Sequence, residues 1–418
     1  MAENKGKILV IGGGISGMTT ALEAAEVGYE VILVEKDPIL GGRVAKFYQY
    51  FPKLCPPPCG LEINYKRIKP NTKLQTFVNS EVESISGDAG NYKVKIKTNP
   101  TYVNEKCVLC GKCEDVCAVE RSNDFNYGVD KTKAVYMPHK LAYPSKFVID
   151  RAACDDSCKK CVEACTYDAI DLDMQVKETE VEVATIVYAT GWKPYDATKL
   201  THLGYGALSN VINNVTMERY ASGQGPTNGQ IVRPSDNKKV ESVVFVQCAG
   251  SRDENHLAHC SSICCLASLK QAKYVREANP DAKITIFYID LRTPGRYEDF
   301  AAKIRSEENI ELIKGKVASI TEGQDQKVIV EAEDILKGVK IKMEVDLAVL
   351  ATGMQSSVAD DKKLPGFIKL DENGFIAPHL QKEGILSAGV ANLPADVSSS
   401  IQDATGAALK AIQNVVRN

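Results

Sequence analysis

The chain has 418 residues, a formal net charge of −3 and 14 cysteines. That length exceeds one ordinary domain, so two or three domains are expected. With no basic domain or basic helix the charge excludes a nucleic-acid partner, and so many cysteines in a cytosolic chain point to metal or redox chemistry rather than disulfides.

The N-terminus, "MAENKGKILVIGGG", runs directly into a strand with no signal-peptide apolar region. No apolar run approaches the ~18 residues that span a bilayer. The expectation is a soluble, cytoplasmic protein.

"KILVIGGGISGMTTALEAAEVGYEVILVEKD" reads as strand, glycine turn, helix, strand and acidic end. Gly12 allows the tight turn, Gly14 lets backbone approach a pyrophosphate, and Gly17 packs helix against strand. Unpaired N–H groups at the helix start face the phosphates, and Glu35 is placed to accept from ribose hydroxyls. "GGRVAKF" follows from Gly41, as is usual where flavoproteins approach FAD, so the expected dinucleotide is FAD. "FPKLCPPPCGLEI" then holds Cys55 and Cys59 in a proline-stiffened turn. Three readings stay open there: a dithiol exchanging electrons with FAD, a structural turn, or a contribution to a cluster or subunit contact.

Between strand-like "YKVKIKT" and "VKETEVEVATIVYAT" lies an insert at about 99–175. "CVLCGKCEDVC" spaces Cys107, Cys110, Cys113 and Cys117 as C-x2-C-x2-C-x3-C; "CDDSCKKCVEACTYDAI" spaces Cys154, Cys158, Cys161 and Cys165 as C-x3-C-x2-C-x3-C. In two-cluster ferredoxins the last cysteine of each run ligates the other cluster. That resemblance pairs Cys107, Cys110 and Cys113 with Cys165, and Cys154, Cys158 and Cys161 with Cys117. Ala118 and Thr166 stand where ferredoxins carry proline, and the second run has one residue more in its first gap. The competing reading is two structural zinc sites, which prefer separate cysteine pairs on hairpins.

"TIVYATGW" and "LAVLATGM" mark strand-to-glycine turns where the chain leaves a first domain near Gly191 and returns near Ala351. Between them, "SVVFVQ" is a buried strand and "SSICCLASLKQAKYVREA" a helix, where a nicotinamide-binding domain would place three spaced glycines. "CAGSRDENHLAHC" has one glycine; Cys248, Cys260, Cys264 and Cys265 are there instead. Without the glycines a pyrophosphate has no backbone approach, and four thiols can hold a third cluster beside the flavin. The helix start is expected to lower the pKa values of these thiols. A redox disulfide among them is the alternative. His256 and His259 flank this run and are read as a solvated loop, the alternative being that they ligate or hydrogen-bond a cluster; "SGQGPTNGQIVRPSDNKK" is read as a covering loop. Toward the C-terminus, "GILSAGVANLPADVSSSIQDATGAALKAI" is strand, glycine turn and helix, with Gly389-Val390 where glutathione-reductase-type FAD proteins have Gly-Asp.

"QCAGSRDENHLAHCSSICCLASLKQA", with "GPTNGQIVRPSD" and "DVSSSIQDATGAALKA", resembles the A subunit of heterodisulfide reductases, and in length the related A subunit of the quinone-interacting membrane-bound oxidoreductase of sulfate reducers. The resemblance covers nearly the whole chain. It implies an α/β, glutathione/thioredoxin reductase-like flavoprotein with two dinucleotide-binding domains and an inserted ferredoxin-like α+β domain. The divisions expected are 1–98 and 176–192 for the first FAD part, 99–175 for the insert, 193–350 for the central module and 351–418 for the second FAD part. It implies FAD, two [4Fe-4S] clusters in the insert and a third on Cys248, Cys260, Cys264 and Cys265. Lys270, five residues past the Cys-Cys, matches a family lysine near the flavin, where a cation stabilises reduced flavin; the alternative is a solvated helix lysine. The expected FAD-contact set is Gly12, Gly14, Ser16, Gly17, Glu35, Lys36, Gly41, Gly42, Arg43, Thr190, Gly191, Gly353, Gly389, Val390, Ser399 and Ile401.

By the same resemblance the chain passes electrons between membrane quinone and a cytoplasmic reductase, adenylylsulfate reductase or a heterodisulfide-type partner. It sits on the inner face of the membrane through a haem- and iron–sulfur-bearing membrane anchor and a second flavoprotein of its own type. Two other functions compete. One is an NAD(P)H-dependent disulfide reductase using Cys55 and Cys59; the other is a structural component whose clusters staple an assembly.

Overall fold

A computed structural model describes residues 6–155 and 157–417. The chain divides into two compact units: 1–192 with 356–393 and 397–418, and 193–355 with 394–396.

The first unit is built on a parallel sheet ordered Ile385–Ser387, Thr185–Tyr188, Ile8–Ile11, Val31–Val34, Leu74–Phe77. Alternation along these strands feeds two cores. Ile8, Val10 and Leu33 pack with Met18, Leu22, Ala404 and Ala411 from the helices Ile15–Glu26 and Val397–Arg417. Leu9, Ile32 and Ile186 pack on the other face with Tyr92, Val94 and Ile96 of an antiparallel sheet. A parallel sheet covered on both faces reads as a continuous apolar run, as "KILVI" and "VILV" do.

That antiparallel sheet pairs Thr98 with Lys177, so the whole cysteine-rich insert hangs from the end of one ladder. Within it, short helices Lys112–Asp115 and Lys160–Ala164 carry Cys113 and Cys161, and two hairpins join Glu120–Ser122 to Lys131–Lys133 and Val135–Tyr136 to Val148–Ile149. Its core mixes apolar side chains with thiols: Val103, Val135, Phe147, Ile149 and Ile170 surround Cys107, Cys113, Cys117, Cys154, Cys161 and Cys165.

The second unit repeats the plan of the first. Its parallel sheet runs Val211–Asn213, Leu347–Thr352, Ser242–Ala249, Lys283–Tyr288, Ile310–Lys314. Val244, Val246, Ala348 and Leu350 face Val328, Val330 and Val345 of a three-stranded antiparallel sheet. Helices Asn214–Ala221 and Cys264–Ala278 pack against the parallel sheet. The segment read as a covering loop is anchored, since the buried Arg233 guanidinium lies 3.5 Å from Asp346 and 3.0 Å from Asp236.

Candidate redox site

In the first unit the glycine turn has the geometry that a dinucleotide requires. Gly12 has φ +109°, and a Cβ on Gly17 would lie 1.7 Å from the Gly12 carbonyl oxygen, so neither position accepts a side chain. Gly14 bridges to Gly41, and Gly42 follows with φ +54°. Glu35 is 6% exposed; its two oxygens accept the Gly13 N–H at 2.5 Å and the Asp37 N–H at 2.8 Å. Burial, reinforced by the Asp37 charge, pushes its carboxyl up to about 7, against the pull of those two N–H bonds. Thr190 Oγ1 is buried without a partner, and Gly191 has φ +68°. Arg43 donates to the Trp192 carbonyl and lies over the Trp192 ring at 4.9 Å. Lys36 and Ser399 are exposed, Ile401 is half-buried, and Ser16 and Val390 are buried.

The departure at Gly389-Val390 has a structural counterpart that sequence reasoning missed. Asp403, on the helix Val397–Arg417, accepts the Gly389 N–H at 2.6 Å and the Asn392 side-chain N–H at 3.0 Å. A carboxylate thus lies beside Gly389 even though position 390 carries none, from a residue two beyond Ile401. Gly353 belongs to the second unit, where Ser251 and Ser261 crowd it.

Cys55 is half-buried, and Cys59 is exposed in the first turn of the helix Pro58–Ile68. Both thiols lie near the Tyr50 phenol, whose pKa rises first through burial and then through the charges of Cys59 and Cys55.

The insert gathers its thiols in two groups. Cys107 and Cys110 act electrostatically on Cys113, while Cys154 and Cys158 act on Cys161. Cys117, the last of the first run, acts on Cys154 of the second. Burial raises all three affected thiols, Cys113 to about 11. Among the described residues no group of three or more His, Cys, Asp or Glu side chains is arranged around a single metal ion.

In the second unit Cys248, Cys260, Cys264 and Cys265 come together, each within electrostatic reach of the others. Cys248 is the penultimate residue of the strand Ser242–Ala249, and Cys264 and Cys265 open the helix Cys264–Ala278. That helix starts three residues later than the sequence reading placed it, because Ile263 N–H bonds back to Ser261 in a tight turn. Cys264 Sγ donates to the Thr352 carbonyl at 3.7 Å, Cys265 Sγ to the Asp290 carbonyl at 3.5 Å. The expectation that the helix start lowers these pKa values is overturned: burial dominates and raises Cys248, Cys264 and Cys265. Such thiols become thiolates only against a compensating positive charge, which metal ligation supplies.

Lys270 is not a solvated helix lysine. It is 5% exposed, with Nζ 3.0 Å from Glu218. His256 and His259 are half-buried and anchored: His256 Nδ1 meets the Tyr195 hydroxyl at 2.7 Å, and His259 Nε2 the Met354 carbonyl at 2.9 Å.

The FAD dependent oxidoreductase family matches residues 7–47, the glycine turn and its two strands. Nearly the whole chain is similar to heterodisulfide reductase A components. The chain is 34% identical over 98% of its length to the A component of the H(2):CoB-CoM heterodisulfide,ferredoxin reductase of Methanothermobacter thermautotrophicus. It is 38% identical over 96% of its length to the iron-sulfur A component of the CoB--CoM heterodisulfide reductase of Methanocaldococcus jannaschii. Over nearly its whole length the chain is similar to these heterodisulfide reductase A components. It spans 64% and 63% of the lengths of those two relatives. Among solved structures, thioredoxin reductase of Lactococcus lactis matches 99% of this chain and all of its own at a TM-score of 0.55 and 17% identity. T. acidophilum thioredoxin reductase covers the same shares at a TM-score of 0.53 and 15% identity. These two share the fold: two dinucleotide-binding units in one chain.

Proposed function

We propose that this heterodisulfide reductase A-like chain is the FAD- and iron–sulfur-bearing electron-transfer subunit of a multisubunit oxidoreductase. The observation that carries the reading is the gathering of Cys248, Cys260, Cys264 and Cys265 where a nicotinamide domain needs its glycine turn. The donor sets fit the groups assigned to them. Gly12, Gly14, Gly17 and Glu35 hold the dinucleotide, with Thr190 supplying a free buried hydroxyl. Cys107, Cys110 and Cys113 with Cys165, and Cys154, Cys158 and Cys161 with Cys117, would hold two clusters in the insert; the electrostatic influence of Cys117 on Cys154 supports the crossed pairing. The four thiols of the second unit hold a third.

When bound, FAD exchanges one or two electrons and four-iron clusters one at a time, which joins a two-electron donor to a one-electron wire. The chain's own part is to fix these groups and keep water away. Lys270 brings a buried positive charge whose carboxylate partner, Glu218, also accepts from Gln271 Nε2 at 2.7 Å and from Tyr274 at 3.3 Å.

In its finer form the proposal places the chain on the inner face of the cytoplasmic membrane, between quinone and a cytoplasmic reductase such as adenylylsulfate reductase. Its partners there are a haem- and iron–sulfur-bearing membrane anchor and a second flavoprotein. Support comes from the resemblance of the third cysteine run and its flanks. Among the described residues no helix is long and apolar enough to cross a membrane, so the proposal gives membrane contact to a partner.

The test is anaerobic flavin reduction by a photoreduced one-electron donor. Cys260→Ser is expected to slow it at least tenfold in the full chain. An unchanged rate, or rapid bleaching by NADH alone, contradicts the reading.

A further inference from the structure

The strand that carries Cys248 is irregular where the thiols begin. Val246 pairs with Leu350 and Ala249 with Thr352, so Gln247 and Cys248 together oppose the single residue Ala351. This is a β-bulge, and Cys248 takes the left-handed conformation, φ +55°. Val246 and Ala249 both remain in the apolar cluster shared with the antiparallel sheet. The inserted residue therefore lets Cys248 join Cys264 and Cys265 at the start of the helix.

Two more residues of the same loop, Arg252 with φ +59° and Ser262 with φ +61°, are left-handed without being glycine. Three such residues around one cluster of thiols mark a loop held in its shape by its surroundings, as functional sites are.

Gln247 is 6% exposed, and both of its amide atoms are buried with no hydrogen-bond partner. A buried amide left unpaired on both ends is rare enough to need a reason. Arg252 does have partners. Its guanidinium hydrogen-bonds the Cys248 thiol and lies 2.8 Å from Asp290 Oδ2. Asp290 in turn accepts from Cys265, and the Arg292 backbone N–H bonds Cys265 from the same segment.

We infer that Arg252 and Gln247 are positioning residues for the electron affinity of the four-thiol centre: Arg252 gives an N–H bond to the Cys248 sulfur and a positive charge, and Gln247 a buried, unpaired amide next to Cys248 in the chain. The inference rests on the reading that these thiols ligate a four-iron cluster. Taking up one electron makes such a centre more negative by one unit. A fixed cation and a neighbouring amide N–H free to donate therefore favour the reduced state and raise the midpoint potential. Arginine remains charged at every accessible pH and glutamine is neutral, so the effect is independent of proton uptake by either side chain.

The test is an EPR-monitored redox titration with iron analysis on the full, anaerobically purified chain. Cys260→Ser identifies the signal, because it removes that signal together with its share of iron. Arg252→Gln is expected to keep the iron and weaken reduction about tenfold, a fall of about 59 mV for one electron. Gln247→Met, similar in volume, shifts the midpoint the same way by less, and Arg252→Lys, which keeps the charge, recovers part of the loss. Intact iron with unmoved midpoints in Arg252→Gln and Gln247→Met overturns the inference. So does loss of iron from Arg252→Gln and Arg252→Lys alike, which makes the residue a structural clamp. Full iron in Cys260→Ser is a different failure, since it removes the cluster reading itself.

Discussion

Lys270 and Glu218 form an ion pair at 3.0 Å inside the second unit, with side-chain exposures of 6% and 4%. Gln271 and Tyr274 also donate to Glu218, so the carboxylate is held by three side chains of one helix. Removing one member of such a pair strands the other charge in a dry interior, at a cost of about 3–5 kcal/mol. Lys270→Met is therefore expected to lower the melting temperature of the chain, and Lys270→Met with Glu218→Gln to restore most of it. A thermal melt followed by circular dichroism checks this; equal melting points for wild type and Lys270→Met would refute the buried pair.

Cys117 and Cys154 act on one another across the two cysteine runs. Under the crossed pairing they serve the same cluster, so Cys117→Ser and Cys154→Ser each remove about four iron atoms and the double variant removes no more. Iron analysis decides it. Additive losses in the double variant would place them on separate clusters.

Glu35 supplies a pH signature. Its carboxyl is raised from 4.5 to about 7 in the folded chain by burial. The folded state then binds a proton more tightly than the unfolded state, so the stabilisation is complete below about 4.5 and is lost as pH rises toward about 7. In flavin-free protein the loss is of order 3 kcal/mol, since each tenfold difference in proton affinity is worth ~1.4 kcal/mol. Glu35→Gln flattens this segment of the stability curve. Urea denaturation from pH 4.5 to 8, compared between the two proteins, measures it; parallel curves would show that Glu35 does not titrate there.

Much of this was legible in sequence, for local reasons. The glycine turn after "KILVI" fixes a strand, a turn and a helix within one short segment, and the cysteine runs carry their spacing with them. The remainder depends on contacts distant in the chain. Nothing near Lys270 announces Glu218, which arrives from another helix, and Asp403 reaches the Gly389 N–H from a helix further on. The raised thiol pKa values came out opposite to expectation because burial is a property of the packed loop, whereas the helix start is visible in sequence. The bulge at Gln247 and Cys248 was equally hidden, since "VVFVQCA" reads as an unbroken strand and only pairing with Leu350 and Thr352 shows the extra residue.

Replacement of the glycine turn by thiols also predicts a nucleotide preference. Anaerobic NADH or NADPH is expected to leave the flavin of the isolated chain oxidised over minutes in which dithionite reduces it fully. Stopped-flow absorbance of the flavin band follows this, and fast bleaching by either nucleotide would show that the second unit still docks a nicotinamide.

The most direct measurement is the iron, sulfide and flavin content of anaerobically purified wild type beside Cys260→Ser. With three four-iron sites filled, wild type carries about twelve iron atoms per FAD, and the variant about eight. Equal iron in the two proteins would mean that Cys248, Cys260, Cys264 and Cys265 hold no cluster, and would contradict the proposed role of the second unit.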